Sequence, residues 1–128
     1  MDNNTARDRF GCEQCWPDSA VAAWTAIQKT ARGDDLIEES HCHVMFRTCC
    51  ACSQTFVSVF TENIDWAEGD DPQHWAVLPV TADEISFAVN PKSVHGFQPD
   101  RRSLQVDIPK GGGIDIFWST GLFIGDHD

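Results

Sequence analysis

The sequence predicts a small α+β domain that is held together by one metal ion. Three observations lead to this fold class: two CxxC motifs lie in the first half of the chain, one segment has the apolar spacing of a helix, and several others have the composition of strands. With 128 residues and 41% hydrophobic composition, the chain fits one globular domain over residues 1–128. Polar residues dominate positions 1–11, which we expect to form a loose N-terminal tail.

The main helix is predicted over residues 19–32. Apolar residues recur there every three or four positions, as on the buried face of an amphipathic helix. Asp18 or Ser19 can cap its start, and Gly33 can adopt the left-handed conformation that often follows a helix end. The acidic stretch at 34–39 is interpreted as a connector.

A β-hairpin is predicted around the second CxxC motif. Residues 41–48 show the two-residue alternation of a half-buried strand. Residues 55–62 are rich in β-branched and aromatic side chains, which strands favour. Together they predict a zinc-knuckle hairpin whose tip is the turn at 49–52.

The second half of the chain predicts shorter elements. Residues 63–80 are interpreted as an ordered loop, because Gly69 and Pro72 interrupt any regular period. Residues 81–84 have the capping-box pattern that begins a helix, and Pro91 would end this short second helix. A C-terminal antiparallel hairpin is predicted from strands at 103–108 and 114–119, with a further short strand at 122–124.

Two cysteine pairs predict a single structural Zn²⁺ ion, with Cys12, Cys15, Cys49 and Cys52 as its ligands. A CxxC turn directs both sulfurs towards one point, and two facing turns supply the tetrahedral set of thiolates that zinc accepts. The gap between the pairs is 49 − 15 − 1 = 33 residues, longer than the usual spacing of about 15–20. The predicted helix and first strand would fill it, and Phe56 can pack beneath the site.

Two further cysteines are left over. Cys42 is interpreted as a small core residue, and Cys50 as a partly exposed residue of the turn. Cys50 could replace Cys49 as a ligand, but a single residue between Cys50 and Cys52 gives poor chelate geometry. His41 and His43 are substitute ligands if one cysteine pair lies elsewhere.

Residues 48–56 resemble the second knuckle of zinc-ribbon domains, in which a CxxC motif is followed by a small residue and then by an aromatic one. Ser53 stands where those domains usually have glycine, and a helix between the knuckles departs from the plain ribbon topology. Residues 49–73 are also similar to small uncharacterised bacterial proteins. The resemblance implies a metal-binding domain and carries no function with it.

The charge of the chain restricts its partners. Nine basic and twenty acidic residues give a formal net charge of −11, and four thiolates with one Zn²⁺ would add −4 + 2 = −2, giving about −13. Such a charge repels nucleic-acid phosphates and anionic lipid surfaces, and it accelerates encounter with basic proteins. Since no apolar signal-like segment begins the sequence, we expect a cytoplasmic protein whose cysteines bind metal rather than form disulfides.

Two enzymatic functions fit parts of the sequence less well. The first CxxC motif precedes the predicted helix, as in thiol oxidoreductases, but the second motif has no part in that chemistry. The acidic cluster between positions 65 and 74 is the one candidate for a hydrolytic metal site, and a solvated loop explains it as well. The sequence therefore favours a protein without catalytic activity.

The function predicted from these observations is that of an acidic, zinc-stabilised binding protein that occupies a basic protein partner. Small acidic inhibitors of nuclease toxins, such as bacterial immunity proteins, share this charge and size. An accessory zinc-ribbon subunit and a CxxC thiol redox protein are the alternatives. Either the two Trp residues of the acidic loop anchor a partner, or both belong to the core. The predicted interface comprises Asp65, Trp66, Glu68, Asp70, Asp71, His74 and Trp75.

Overall fold

The fold is built on an antiparallel sheet in which each strand pairs with the next along the chain. The computed structural model describes residues 10–39, 42–62, 66–67, 69, 71–88 and 101–121. Within this part, the two helices are α1 (Ala20–Ile27) and α2 (Ala82–Ala88). The six strands are β1 (Ala31–Glu39), β2 (Cys42–Thr48), β3 (Thr55–Glu62), β4 (Gln73–Val80), β5 (Arg102–Ile108) and β6 (Asp115–Thr120).

The predicted fold class, an α+β domain with one main helix, is wrong. The described residues form mostly sheet, with two helices of 8 and 7 residues. α1 ends at Ile27, so the helix predicted over 19–32 is too long. The chain enters β1 at Ala31, where a helix end and an acidic connector were expected.

The loop predicted over 63–80 is also wrong over its second half, because β4 occupies Gln73–Val80. From Ala76 onwards every residue of β4 is buried, so the alternation that marks a half-exposed strand is missing. Pro79, which argues against a central strand, lies beyond the part of β4 that pairs with β5, since that pairing stops at Val77.

Both predicted hairpins are present. β2 and β3 pair in antiparallel register around the turn at 49–52, with Thr48 opposite Thr55. β5 and β6 pair in the same way, from Arg102 opposite Thr120 to Asp107 opposite Asp115. The short strand predicted at 122–124 lies outside the described residues, as do positions 1–9 of the predicted tail and Pro91.

The sheet has a core on each face. One core places α1 and the CxxC turns against β3, β4 and β5; its buried residues are Cys15, Trp16, Ala23, Ile27, Cys49, Phe56, Val77 and Leu104. The other core includes Ile85 of α2 at its margin; its buried residues are Cys42, Val44, Val57, Val59, Ala76, Leu78 and Val80. Because β3 and β4 each contribute to both cores, these two strands are the centre of the packing.

Short polar contacts fix the helix starts. The Ser19 hydroxyl accepts a hydrogen bond from the Ala22 N–H at 3.2 Å and caps α1. α2 begins with the predicted capping box: the Thr81 N–H donates to Glu84 Oε1 at 2.9 Å, and the Glu84 N–H donates to Thr81 Oγ1 at 3.3 Å. This part of the prediction is confirmed.

Arg101 ties α2 to the end of the sheet and to the start of the described chain. Its guanidinium makes two 2.7 Å bonds to the Glu84 carboxylate and donates to the Pro79 carbonyl at 3.0 Å. The same group lies 4.6 Å from the centre of the Phe10 ring. Burial tends to raise the pKa of Glu84, but the bonds from Arg101 outweigh it, and the pKa falls below its ordinary 4.5.

We expect Glu84→Gln to lower the free energy of unfolding by about 1 kcal/mol, since the pair is bidentate but partly exposed. A lowered folded-state pKa means that the carboxylate contributes fully above its ordinary pKa of 4.5 and loses its effect only as pH falls through the folded value. The difference from the wild type should thus be constant between about pH 8 and pH 5 in urea unfolding. Asp83→Asn, on the same helix turn, should change stability by less than about 0.5 kcal/mol; equal effects of the two variants would contradict this role of Glu84.

Candidate metal centre

Four cysteine sulfurs converge at one edge of the first core. They belong to Cys12, Cys15, Cys49 and Cys52, and all four Sγ atoms lie within 4.8 Å of one another. Three of the distances between Sγ atoms are well below this limit: 3.8 Å from Cys12 to Cys15, 3.9 Å from Cys12 to Cys49, and 3.8 Å from Cys15 to Cys52. The structure therefore brings together all four cysteines that the sequence selected.

These distances are those of thiolates around a common ion. A disulfide requires its sulfurs about 2.05 Å apart, and none of the four clustered cysteines forms a disulfide in this structure. Four sulfurs that each lie about 2.3 Å from a tetrahedral ion are about 3.8 Å from one another, which agrees with the three measured separations. The cluster is consistent with a CxxC-type zinc site and could hold one metal ion.

The two CxxC turns are closed by equivalent backbone bonds. The Trp16 N–H donates to the Cys12 carbonyl at 2.8 Å, and the Ser53 N–H donates to the Cys49 carbonyl at 2.9 Å. In the second turn, Ser53 has a positive φ of 67°, a conformation that costs a residue with a Cβ more than it costs glycine. Ser53 therefore adopts a conformation that favours glycine, the residue that zinc-ribbon knuckles usually have at this position.

Two residues that the sequence analysis did not select hold the turns together. Gly11 has φ 71°, and a Cβ on it would lie 2.8 Å from the Cβ of Trp16 and 2.9 Å from the sulfur of Cys15. Its N–H donates to the Gln54 side chain at 3.1 Å, while the amide of Gln54 donates to the Val80 carbonyl at 2.9 Å. Gln54 thus links the first turn to the end of β4. The sequence did contain a signal for Gly11, because a glycine stands directly before the first CxxC motif.

An aromatic layer supports the centre. Trp16 follows the first turn and lies 5.0 Å from the ring of Phe56 and 4.9 Å from that of Trp118. Phe56 is fully buried, which agrees with its predicted place beneath the site. The indole N–H of Trp118 donates to the Asp18 carbonyl at 2.7 Å, and the Arg102 guanidinium lies 3.8 Å from the centre of its ring. The layer fixes the approach of the first turn to the sheet.

The thiols differ in their tendency to ionise. Burial opposes ionisation of Cys49, but the backbone N–H groups of Cys52 and Ala51 stabilise its thiolate and lower its pKa from 9.0 to about 7. Burial raises the pKa of Cys15, which is 2% exposed. Four thiolates this close repel one another, so full ionisation near neutral pH requires a cation between them.

None of the spare candidate ligands that the structure describes belongs to the cluster. Cys42 is buried in the core on the other face, and Cys50 is exposed on the second turn. His43 lies 5.9 Å from the ring of Phe60, and His41 is outside the described residues. In the described part of the chain, the four clustered cysteines are the one group of three or more His, Cys, Asp or Glu residues close enough to share a metal ion.

The predicted partner-binding residues are divided by the structure. Trp66, between β3 and β4, is 86% exposed, whereas the ring of Trp75 lies 4.7 Å from that of Phe60 and 5.5 Å from that of Trp24. His74 is 2.6 Å from the Gln105 amide oxygen and 3.6 Å from Asp107. Asp71 is half-buried, and the three remaining residues, Asp65, Glu68 and Asp70, lie outside the described residues.

Comparison with known proteins gives no relative. No family model matches the chain, and no curated protein and no solved structure matches it. The similarity to small bacterial proteins stays a prediction. Neither of the helices described above is long enough to cross a membrane.

We expect Ser53→Gly to raise the free energy of unfolding of the metal-loaded protein by about 0.5–1 kcal/mol, because glycine adopts the positive φ of this position without strain. Denaturant titration followed by tryptophan fluorescence measures the change. Ser119→Gly is the matched control: Ser119 lies within β6, where glycine should lower stability by a similar amount. A loss of stability in both variants would contradict the assigned backbone strain.

Proposed function

We propose that the protein is a non-catalytic, acidic binding protein whose structure is stabilised by one zinc ion and which acts by occupying a basic protein partner. The observation that supports the metal is the set of sulfur separations of 3.8–3.9 Å among the four converging cysteines. The observation that supports the partner is one exposed tryptophan on a chain of net charge −11.

Zinc is the ion that this donor set fits best. Four thiolates in tetrahedral arrangement favour zinc or an iron–sulfur centre over magnesium or calcium, which take oxygen ligands. The separations match a single ion at about 2.3 Å from each sulfur. Four protein ligands leave no open coordination position, so the role of the ion is structural. Cys12, Cys15, Cys49 and Cys52 would hold it.

The first test is the metal content of protein purified without a metal-affinity step. We expect about one zinc per chain and one readily reactive thiol in the folded protein, that of Cys50, because Cys42 is buried; Cys42 should react only after unfolding. Cys49→Ser should lose the metal and most of the folded structure, because a structural zinc site contributes on the order of 10 kcal/mol to folding. Cys50→Ser, its neighbour in the same turn, should keep both, as measured by elemental analysis and circular dichroism. Metal retention by Cys49→Ser, or bound iron, would contradict the assignment.

Trp66 has the properties of a binding anchor. A tryptophan exposed over 86% of its surface leaves a large apolar area in water, and tryptophan is the residue type most enriched among interface hot spots. It lies in the connection between β3 and β4, where the sequence also places Asp65, Glu68, Asp70 and Asp71. An aromatic anchor that is flanked in sequence by carboxylates suits a partner with an apolar pocket inside a basic surface.

The charge favours the same partner. With zinc bound, the chain would have a net charge of about −13, a field that accelerates encounter with basic surfaces and repels nucleic acids. This profile is shared with small acidic inhibitors of basic enzymes. An accessory subunit that docks through apolar contacts is the alternative, and a redox role is less favoured, because each CxxC pair lies in contact with the other pair rather than at a helix start.

The partner is tested with paired baits. Wild-type protein, Trp66→Ala and Ile114→Ala are each immobilised and exposed to an extract of the source cells. A protein that the wild type retains is identified and purified by itself. Its Kd for each of the three proteins is then measured by titration. Ile114 is 57% exposed in the β5–β6 turn and is a matched apolar control. We expect a basic partner whose Kd rises at least about tenfold with Trp66→Ala but less than about threefold with Ile114→Ala.

Binding should also weaken steeply with added salt, because exposed charges are screened over about 8 Å at physiological ionic strength. A partner that binds equally well to all three baits and at high salt would instead favour the accessory-subunit alternative and contradict the proposal.

A further inference from the structure

We propose that the outer side of the metal centre is an oxidative modification site, at which a peroxide converts the Cys52 thiolate to a sulfenic acid and a Cys49–Cys52 disulfide then releases the zinc ion. This inference rests on the proposed zinc binding. It goes beyond it by assigning the centre a sensitivity to a class of small oxidant and by naming the sulfur that reacts first.

The four ligands differ strongly in their access to solvent. Cys15 and Cys49 are 2% and 5% exposed and lie on the core side of the centre. Cys12 is half-buried, and Cys52 is exposed together with its neighbours Ala51 and Ser53. An oxidant that approaches from solvent therefore meets Cys52 before it meets the other three sulfurs.

A groove also borders the second turn beside Cys49, the sulfur that reacts second. It has a volume of about 390 Å³ and runs between α1 and the second turn, with Cys49, Cys50 and Ala51 on one side and Ala22, Thr25 and Lys29 on the other. Hydrogen peroxide, scarcely larger than water, can enter a groove of this size. The second turn is thus exposed at Cys52 and borders the groove at Cys49, whereas Cys15 of the first turn is buried and Trp16 packs against Phe56 and Trp118.

The sulfur of Cys49 lies close enough to react with an oxidised Cys52. Cys49 Sγ lies within 4.8 Å of Cys52 Sγ, and both residues belong to one turn that the Ser53–Cys49 backbone bond closes. A sulfenic acid beside a thiol condenses to a disulfide. Cys49 is well placed for this step, since no other ligand belongs to the same turn as Cys52.

The chemistry balances with one peroxide. The Cys52 thiolate attacks one peroxide oxygen, the O–O bond breaks, and hydroxide leaves; sulfur loses two electrons and peroxide gains them. The Cys49 thiolate then attacks the Cys52 sulfur, the S–O bond breaks, and a second hydroxide leaves. Two thiolates and one peroxide thus give one disulfide and two hydroxides. The ion keeps only Cys12 and Cys15, too few thiolates for a stable site, and dissociates.

The experiment uses zinc-loaded Cys50→Ser protein, in which the exposed non-ligand thiol is absent and all four ligands remain. Hydrogen peroxide is added in the presence of a zinc-binding dye, and dimedone traps sulfenic acid in a parallel sample. We expect zinc release at least about tenfold faster than in buffer alone, a dimedone adduct on Cys52 and, without dimedone, a Cys49–Cys52 disulfide in the peptide map. Reduction with dithiothreitol and added zinc should restore the original metal content.

Several outcomes would overturn the inference. They are zinc retention under peroxide with unmodified ligand thiols, a first adduct on Cys12, or zinc loss without the Cys49–Cys52 disulfide. The initial zinc content separates the two proposals. Protein that never contains zinc contradicts the proposed metal site itself, whereas protein that contains zinc and resists peroxide contradicts only the oxidation site.

Discussion

The convergence of two CxxC turns, separated by 33 residues in the chain, is the constraint on which the described structure most depends. Without a shared ion, four thiols at separations near 3.8 Å gain little from their proximity, and their ionised forms repel one another. With a zinc ion, the site would contribute on the order of 10 kcal/mol, comparable to the whole stability of a typical domain. The closure of α1, β1 and β2 into a loop between the turns then follows from metal binding.

The metal centre and the sheet are connected by hydrogen bonds and by packing. Gln54 links the backbone of Gly11 to the end of β4, and Phe56, the second residue of β3, lies beneath Trp16 of the first turn. The same residues therefore position the sulfurs and complete the core under α1. Removal of the ion should loosen this face of the sheet as well as the turns, because Cys15 and Cys49 are themselves core residues there.

Local patterns in the sequence predicted those features that depend on local chemistry. The CxxC motifs, the capping box at Thr81–Glu84 and the hairpin around 49–52 each follow from a few neighbouring residues, and the structure contains all three. β1 could not be predicted in this way, since its Asp, Glu and Gly residues have low strand propensity. Its strand conformation depends instead on its pairing with β2. β4 was missed for the opposite reason: burial of both faces removes the alternation that reveals a strand.

The supporting residues of the site were equally hidden, because their roles depend on contacts distant in sequence. The bond from Gly11 to Gln54 spans 43 residues, and only the folded chain shows that a Cβ at Gly11 would collide with Cys15. The departure at Ser53 was visible in the sequence, but its meaning required the backbone angle. Ligands can thus be read from motif spacing, whereas the residues that position them cannot.

The metal centre and the proposed anchor lie at opposite ends of the same strand. β3 begins three residues after Cys52 and ends at Glu62, just before the connection that contains Trp66. Eight residues at about 3.3 Å each separate the two ends by about 25 Å. A partner held by Trp66 would therefore not contact the zinc ligands, which leaves Cys52 open to solvent in a complex. Oxidation of the centre would reach the partner only through the sheet, in which β3 and β4 both contribute to the two cores.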